Sequence, residues 1–187
     1  KERRVNGFNS LFATSSIKAA RAYYQEFKRQ QADLPEARRL SVGIIYSYAP
    51  NAEAPGTGLL SEESMDPSAL SQDDRAFLDE AIADYNQQFG ASFGTDASGF
   101  EGYYTSLSTA LAERRIDLVI VVDMFLTGFD SKSLNTLWVD KNLRAHGLIQ
   151  AFSRTNRILN SVKTFGNIVC FRNLEEATND AIALFGN

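Results

Sequence analysis

The hydrophobic pattern of this chain changes from strand-like runs to helical spacing and back. Residues 8–14 are a short, mostly apolar run that predicts a buried strand, and Ser15 or Ser16 then offers a hydroxyl to cap a helix. To about position 31, apolar side chains follow helical spacing at Ile17, Ala20, Tyr24 and Phe27. Alternation predicts a second strand over residues 40–46. A strand, a helix and a strand in this order are the unit of a parallel sheet.

The same signals repeat in the second half of the chain. The strongest strand is predicted over residues 117–125, where an unbroken apolar run indicates burial on both faces. After a loop at 126–132, the pattern predicts a strand over 134–139, a helix over 144–159, a strand over 164–171 and a helix over 174–185. Strands that alternate with helices predict an α/β fold with a doubly wound, mostly parallel sheet.

Residues 50–104 differ from the rest of the chain. Proline and glycine punctuate a polar stretch, which predicts a helical insertion within a single domain over residues 1–187. Helical spacing predicts one helix over 71–89 and another over 103–114, and we expect the insertion to pack beside the sheet. The acidic residues of the first helix form a face that is typical of a solvated surface rather than a metal site: Asp73, Asp74, Asp79, Glu80 and Asp84.

Composition narrows the class of protein. Of the 187 residues, 44% are hydrophobic and 22% charged, as expected of one globular domain. No apolar run approaches the roughly 20 residues of a membrane span, and no signal-peptide core follows the basic N-terminus, so the cytoplasm is the expected location. The net charge of −4 means that any contact with nucleic acid must be local. The chain does not begin with Met, which indicates a piece of a longer protein.

The lone cysteine and the lone histidine carry no predicted chemistry. Cys170 lies in an apolar stretch, where a buried and inert thiol is expected. His146 has no carboxylate or cysteine at ligand spacing, which favours a packing or surface role. The sequence therefore predicts no metal site.

Polar clusters follow three of the predicted strands, at residues 13–16, at 126–130 and on the helix at 150–157. Ligands of an open parallel sheet bind beyond the carboxyl ends of its strands, where loops and helix N-termini converge. The first cluster suits a phosphate at a helix N-terminus, and an ordinary helix cap explains it equally well. The second joins a hydroxyl, a glycine and a carboxylate, and a plain turn explains it equally well.

The third cluster is the most informative. Arg154 and Arg157 stand three positions apart, which predicts that both project from one face of a helix. Arginine binds phosphate oxygens through paired N–H groups and neutralises charge that develops in phosphoryl transfer. A solvated basic helix face is the alternative, and the flanking Gln150 and the sheet context favour the phosphate role.

These clusters, in this order, resemble motifs IV, V and VI in the second motor lobe of superfamily 2 helicases. Residues 117–157, DLVIVVDMFLTGFDSKSLNTLWVDKNLRAHGLIQAFSRTNR, more closely resemble the motor subunit of type I restriction enzymes, with a looser likeness from residue 8 to about 171. Ser153 and Asn156 stand where most of the superfamily has glycines, a departure that suits the type I branch. The resemblance implies a RecA-like lobe of an ATP-driven DNA translocase.

The resemblance also implies roles for the matched residues. Arg154 and Arg157 would be catalytic, reaching the ATP phosphates across the cleft between two lobes, with one of them acting as an arginine finger. The nucleotide would also be contacted by Gln150, Gly128 and Asp130. The DNA backbone would be contacted, independently of base sequence, by Thr14, Ser15 and Thr127.

Parts of an ATPase are missing from the sequence. There is no phosphate loop of the form G-x-x-x-x-G-K-[ST] and no Asp-Glu pair suited to magnesium. The resemblance implies that ATP and Mg²⁺ bind chiefly to an upstream lobe, with a nuclease domain further upstream, so this chain alone is expected to be inactive. The implied partners are double-stranded DNA and the methylation and specificity subunits of a type I complex, and no membrane.

Two other functions compete with this one. A dinucleotide-binding enzyme needs a glycine-rich turn after its first strand, and residues 13–16, ATSS, do not supply it. A non-catalytic domain that holds subunits together can keep a motor-like fold. That alternative is disfavoured only if three residues face a shared cleft: Arg154, Arg157 and Thr127.

Overall fold

The computed structural model describes residues 8–46, 67, 69–126, 129–159 and 161–185. Its strands are β1 Asn9–Thr14, β2 Val42–Ile45, β3 Leu118–Val121, β4 Leu134–Asp140 and β5 Asn167–Cys170. Its α-helices are α1 Ile17–Gln31, α2 Gln72–Phe89, α3 Ala97–Ala112, α4 Ala145–Phe152 and α5 Glu175–Phe185. Among the described residues, no helix combines the length and apolar character that crossing a membrane requires.

The strands form one sheet in the order β2-β3-β1-β4-β5, and every pairing is parallel. The central strand is β1, in which Phe12 lies between Ile120 of β3 and Trp138 of β4. Apolar residues of β1, β3 and β4 are buried in the core, which explains their strongly hydrophobic sequence. The predicted α/β class with a parallel sheet is therefore confirmed.

Helices cover both faces of the sheet. On one face, the Phe12 ring lies 4.5 Å from the ring of Tyr23 in α1. On the other face, a Cβ built on Gly43 of β2 would lie 2.8 Å from Leu107 Cδ1 of α3. Phe12 and Ile44 both pair with Ile120, so they point to the same face, and Gly43, the neighbour of Ile44, points to the other. These two contacts therefore place α1 and α3 on opposite sides of the sheet. A side chain at position 43 would force the Leu107 side chain to shift, so glycine there favours the close approach of α3 to β2.

Part of the acidic face of α2 packs against α1, and the rest of it is exposed as predicted. Arg21 pairs with Asp74 at 3.1 Å, and the Lys28 ammonium lies 2.6 Å from a carboxylate oxygen of Asp84. The Tyr24 hydroxyl also donates to Asp84, at 2.9 Å. The prediction of a merely solvated face was therefore wrong for these residues, because basic and acidic faces of two helices far apart in sequence meet in the fold.

The edge strand β5 is more exposed than its sequence predicts. Cys170 is exposed, so the prediction of a buried thiol was wrong. An apolar strand predicts burial only when neighbours cover it, and among the described residues β5 pairs with β4 alone. Large apolar side chains are also exposed beside this edge and on α5: Ile158, Val162, Phe165, Phe171, Ile182 and Leu184.

Candidate functional site

The carboxyl edge of the sheet carries charged groups that connect its strands. The Lys141 ammonium, after β4, donates to the Val122 carbonyl at 3.2 Å and contacts the Asp123 carboxylate beyond β3. The side chains of Lys141 and Asp123 are only 13% and 21% exposed, so this ion pair is partly desolvated and stronger than a surface pair. The pair ties together the ends of two strands that lie on either side of β1.

A second group of polar side chains surrounds Ser15. Arg172, after β5, donates to the Ser15 hydroxyl at 3.2 Å and to the Asp140 carboxylate at 3.0 Å. Asp140 also accepts from the Tyr23 hydroxyl at 3.1 Å. Burial and the Asp140 carboxylate raise the pKa of Tyr23, so its hydroxyl remains a proton donor. We call Ser15, Tyr23, Asp140 and Arg172 the Ser15 cluster.

The neighbours of Ser15 have structural roles. The Thr14 side chain is fully buried, and its hydroxyl donates to the Val121 carbonyl at 3.1 Å. Any contact of Thr14 with DNA would therefore use its main chain. Ser16 is the N-cap of α1 and accepts from the Ala19 amide at 3.2 Å. Of the predicted hydroxyls at the start of α1, Ser15 is the one joined to a charged cluster.

The loop after β3 begins with a strained residue. Phe125 has a φ of 65°, a left-handed conformation that costs a bulky residue about 1–3 kcal/mol. Its buried ring is held between Tyr104 and Phe129, each with a centroid distance of 5.0 Å. The predicted residues Thr127 and Gly128 lie outside the described residues. The packing of the Phe125 ring keeps this residue in the strained conformation.

Arg154 joins that loop to the end of α4. Its guanidinium donates to the Phe129 carbonyl at 2.5 Å, to the Gln150 carbonyl at 2.9 Å and to the Ser153 hydroxyl at 3.1 Å. Each of its three nitrogens thus donates a hydrogen bond within the domain. Arg154 therefore acts as a brace between residues 129 and 150 in this structure.

Arg157 lies beyond the helix and makes a different contact. Its Nη2 atom is 2.9 Å from Oδ2 of Asp130, and the two side chains are 54% and 51% exposed. The predicted helix over 144–159 instead ends at Phe152 and continues as a 3₁₀ turn at Ser153–Thr155. The Gln150 carbonyl accepts the Ser153 hydroxyl and Arg154 Nε, and such side-chain bonds compete with the helical ones. The prediction that both arginines share one helix face was therefore wrong.

Gln150 presents an unsatisfied group at this site. Its side-chain oxygen, Oε1, is buried and has no hydrogen-bond partner among the described residues. A buried polar atom without a partner costs about 1–3 kcal/mol, which favours a partner supplied from elsewhere. Gln150, Arg154, Asp130 and Arg157 are thus connected through the 129–130 loop and the end of α4.

Our sequence reasoning missed several of the charged groups at this edge, namely Asp123, Asp140, Lys141 and Arg172. Each lies in or directly after a predicted strand. Because ligands of an open parallel sheet bind beyond the carboxyl ends of its strands, this position in the sequence is the signal that identifies them.

The fold and this edge define an α/β domain with three groups of polar side chains at the carboxyl ends of its strands. Residues 6–173 match the family model described as "Type I restriction enzyme subunit R domain 3". The chain is 40% identical over 187 residues to the type I restriction enzyme SauMRSORF196P endonuclease subunit of Staphylococcus aureus (strain MRSA252). It is 42% identical over 187 residues to the SsaAORF53P endonuclease subunit of Staphylococcus saprophyticus.

These alignments cover 99% of this chain and 19% of each staphylococcal relative. A shorter stretch, 34% of the chain, is 58% identical to 17% of the putative MpnIIP endonuclease subunit, N-terminal part, of Mycoplasma pneumoniae. The chain belongs to the R subunit family of type I restriction enzymes.

Proposed function

We propose that this chain is the second RecA-like lobe of an ATP-dependent DNA translocase, within a type I site-specific deoxyribonuclease. In this proposal ATP and Mg²⁺ bind chiefly to an upstream lobe of the full-length subunit. The present lobe supplies Arg157 across the cleft and contacts the DNA backbone. The complex also contains methylation and specificity subunits and works in the cytoplasm.

The observation that carries the proposal is the contact between Arg157 and Asp130. A half-exposed guanidinium that already holds a carboxylate oxygen at 2.9 Å has the geometry to hold a phosphate oxygen. An exposed ion pair contributes only about 0.2–1 kcal/mol, so a more highly charged phosphate can displace Asp130 at little cost. Asp130 would then be released to contact another part of the nucleotide or the upstream lobe.

Arg154 and Gln150 support this role from the same site. Because the Arg154 guanidinium is used by the carbonyls of Phe129 and Gln150, it holds the loop that carries Asp130. The unpartnered side-chain oxygen of Gln150 suits a donor from the nucleotide or from the upstream lobe. We therefore assign the arginine finger to Arg157 and a bracing role to Arg154.

The described residues fit ATP phosphates better than they fit a metal ion. No group of three or more His, Cys, Asp or Glu side chains within them is arranged to hold a metal. Arg157 and Gln150 instead offer a cation and an amide, which are groups that contact phosphates and the atoms around them. When bound, ATP would supply the phosphoryl group, and this lobe would stabilise the charge that develops during its transfer.

A test of the whole proposal compares the full-length subunit with this chain alone. We expect the full-length subunit to hydrolyse ATP when duplex DNA is added, because both halves of the site are then present. We expect the isolated chain to show no hydrolysis above background with or without DNA. Release of inorganic phosphate at saturating ATP measures both. Hydrolysis by the isolated chain would contradict a composite site.

The Ser15 cluster is the proposed contact with the DNA backbone. Arg172 and Ser15 lie 3.2 Å apart near the N-terminus of α1, where main-chain amides favour a phosphate. In the full-length subunit, Arg172→Gln is expected to weaken binding to all duplex sequences alike. The slope of log K against log salt should become shallower by about 1, because one phosphate contact is lost.

Arg29→Gln is the matched control for Arg172→Gln. Arg29 also lies in an ion pair, with Glu26 at 2.6 Å, but at the opposite end of α1. Fluorescence anisotropy with two unrelated duplexes at several salt concentrations measures the effect. An unchanged slope in the Arg172 variant, or an equal change in the Arg29 variant, would remove the Ser15 cluster from the DNA path.

A second candidate function is a non-catalytic domain that holds other parts of the assembly. The exposed apolar side chains beside β5 and on α5 favour an interface there, notably Phe165, Phe171 and Leu184, which are 67%, 58% and 66% exposed. This function predicts normal ATP hydrolysis after loss of Arg157. ATP hydrolysis by the Arg157→Ala variant therefore separates the two candidate functions.

A further inference from the structure

The ammonium of a buried lysine binds the main chain of the turn that carries Arg157. Lys163 is only 1% exposed, although it is a residue type that is almost always at the surface. Its ammonium donates to the main-chain carbonyl of Thr155 at 2.9 Å and to the main-chain carbonyl of Arg157. One side chain thus binds the main chain on both sides of Asn156, at Thr155 and at Arg157, the proposed arginine finger.

Other contacts close the same turn. The Leu159 amide donates to the Lys163 carbonyl at 3.2 Å, which brings these two residues together. A Cβ built on Gly166 would overlap the Thr155 carbonyl oxygen, so position 166 has no room for a larger side chain next to Thr155. We call residues 155–159 and 161–166 the Lys163 turn. Its main chain is therefore packed tightly against Gly166 as well as bound by the ammonium.

The charge of Lys163 has an energetic cost that its packing does not explain. Burial lowers the pKa of the ammonium, because the interior disfavours the charged form. A methionine has nearly the same length and would fill this space without that cost. The ammonium also donates hydrogen bonds to two main-chain carbonyls, which a methionine could not do. This favours a role in controlling the main chain at Arg157 over a role in filling space.

We infer that Lys163 is a positioning residue for Arg157, fixing its main chain so that the guanidinium projects towards the Asp130 side of the cleft. The inference rests on the proposed role of Arg157 as the arginine finger. A long side chain reaches a phosphate reproducibly only if its Cα is fixed, since a displacement of about 1 Å can cost a hundredfold in rate. Arg157 has to move from Asp130 to the phosphate while its main chain stays in place.

The test is a double-mutant cycle in the full-length subunit, with Lys163→Met, Arg157→Ala and the combination. We expect Lys163→Met to lower kcat for DNA-stimulated ATP hydrolysis about ten- to a hundredfold and to leave KM for ATP within about twofold. In the Arg157→Ala background, Lys163→Met should change kcat less than about twofold, because there is no finger left to position. Lys132→Met, at an exposed lysine of the 126–133 loop, is the control and should behave like the unaltered subunit.

The outcomes separate the inference from the function on which it rests. If Arg157→Ala alone leaves hydrolysis unchanged, the proposed function is wrong. If Arg157→Ala lowers hydrolysis as expected to a rate that is still measurable, but Lys163→Met is normal, raises KM alone or lowers kcat equally in both backgrounds, the positioning role is overturned.

A second variant, Gly166→Ala, tests the inference if Lys163→Met does not fold. Gly166→Ala displaces the Thr155 carbonyl without changing Lys163. It should therefore lower kcat in the unaltered background and leave kcat unchanged in the Arg157→Ala background. Thermal unfolding shows which variants are folded, and Gly166→Ala decides the matter if Lys163→Met is not. Failure of both variants to fold would mean that the turn serves the fold as a whole, and this would also overturn the inference.

Discussion

Replacing Arg157 with alanine in the full-length subunit should lower DNA-stimulated ATP hydrolysis about 10³- to 10⁵-fold, the range that an arginine finger contributes. The side chain is half-exposed and holds Asp130 by a single ion pair, so its loss should cost little folding stability. Binding of duplex DNA should be retained, because the Ser15 cluster is built from other residues. Phosphate release and DNA anisotropy on the same preparation measure the two effects.

Arg157→Lys and Asp130→Asn are the companion variants. Lysine keeps the charge but lacks the planar fork, so it should restore only a small part of the activity. Asp130→Asn removes the carboxylate that competes for Arg157 and should lower kcat much less than loss of the arginine does. Hydrolysis within about threefold of the unaltered rate in Arg157→Ala would reject the finger and favour the non-catalytic interface function.

The second large effect is expected from Arg154→Met. This change leaves the Phe129 carbonyl without the Arg154 donor, removes one of the two side-chain donors to the Gln150 carbonyl, and frees the loop that carries Asp130. Leaving such an acceptor unsatisfied costs about 1–3 kcal/mol, and misplacement of the loop should lower kcat about a hundredfold. Unlike Arg157→Ala, this variant should also lower the thermal unfolding midpoint, because a brace stabilises the folded lobe whereas a finger does not.

Arg144→Met is the matched control for Arg154. Arg144 is exposed and precedes α4, so it carries the same charge close to the same helix. It should leave the unfolding midpoint within a degree or two and kcat within about twofold. If Arg154→Met lowers kcat as much as Arg157→Ala while stability is unchanged, the two arginines act alike on the nucleotide and the division of roles proposed here is incorrect.

Much of the fold follows from local sequence alone. The apolar runs of β1 and β4 and the helical spacing of α1 and α2 predicted those elements to within a few residues, since each signal lies within the element itself. The start of α3 was missed because, after its cap Asp96, the helix has two glycines among its first six residues, and glycine disfavours a helix. The family resemblance of residues 117–157 likewise came from the sequence, and the comparisons confirmed it.

The sequence by itself thus determined the class of fold, the family and the segments in which the site lies. Only the tertiary structure decided what the individual side chains do: Arg154 binds carbonyls, Arg157 meets a carboxylate, Arg172 reaches Ser15, and Lys163 lies buried under the turn. The physical reason is that periodicity records which residues are buried or exposed. Hydrogen bonds between residues distant in sequence, and side chains that compete with the helix for its carbonyls, depend on distances that exist only once the chain has folded.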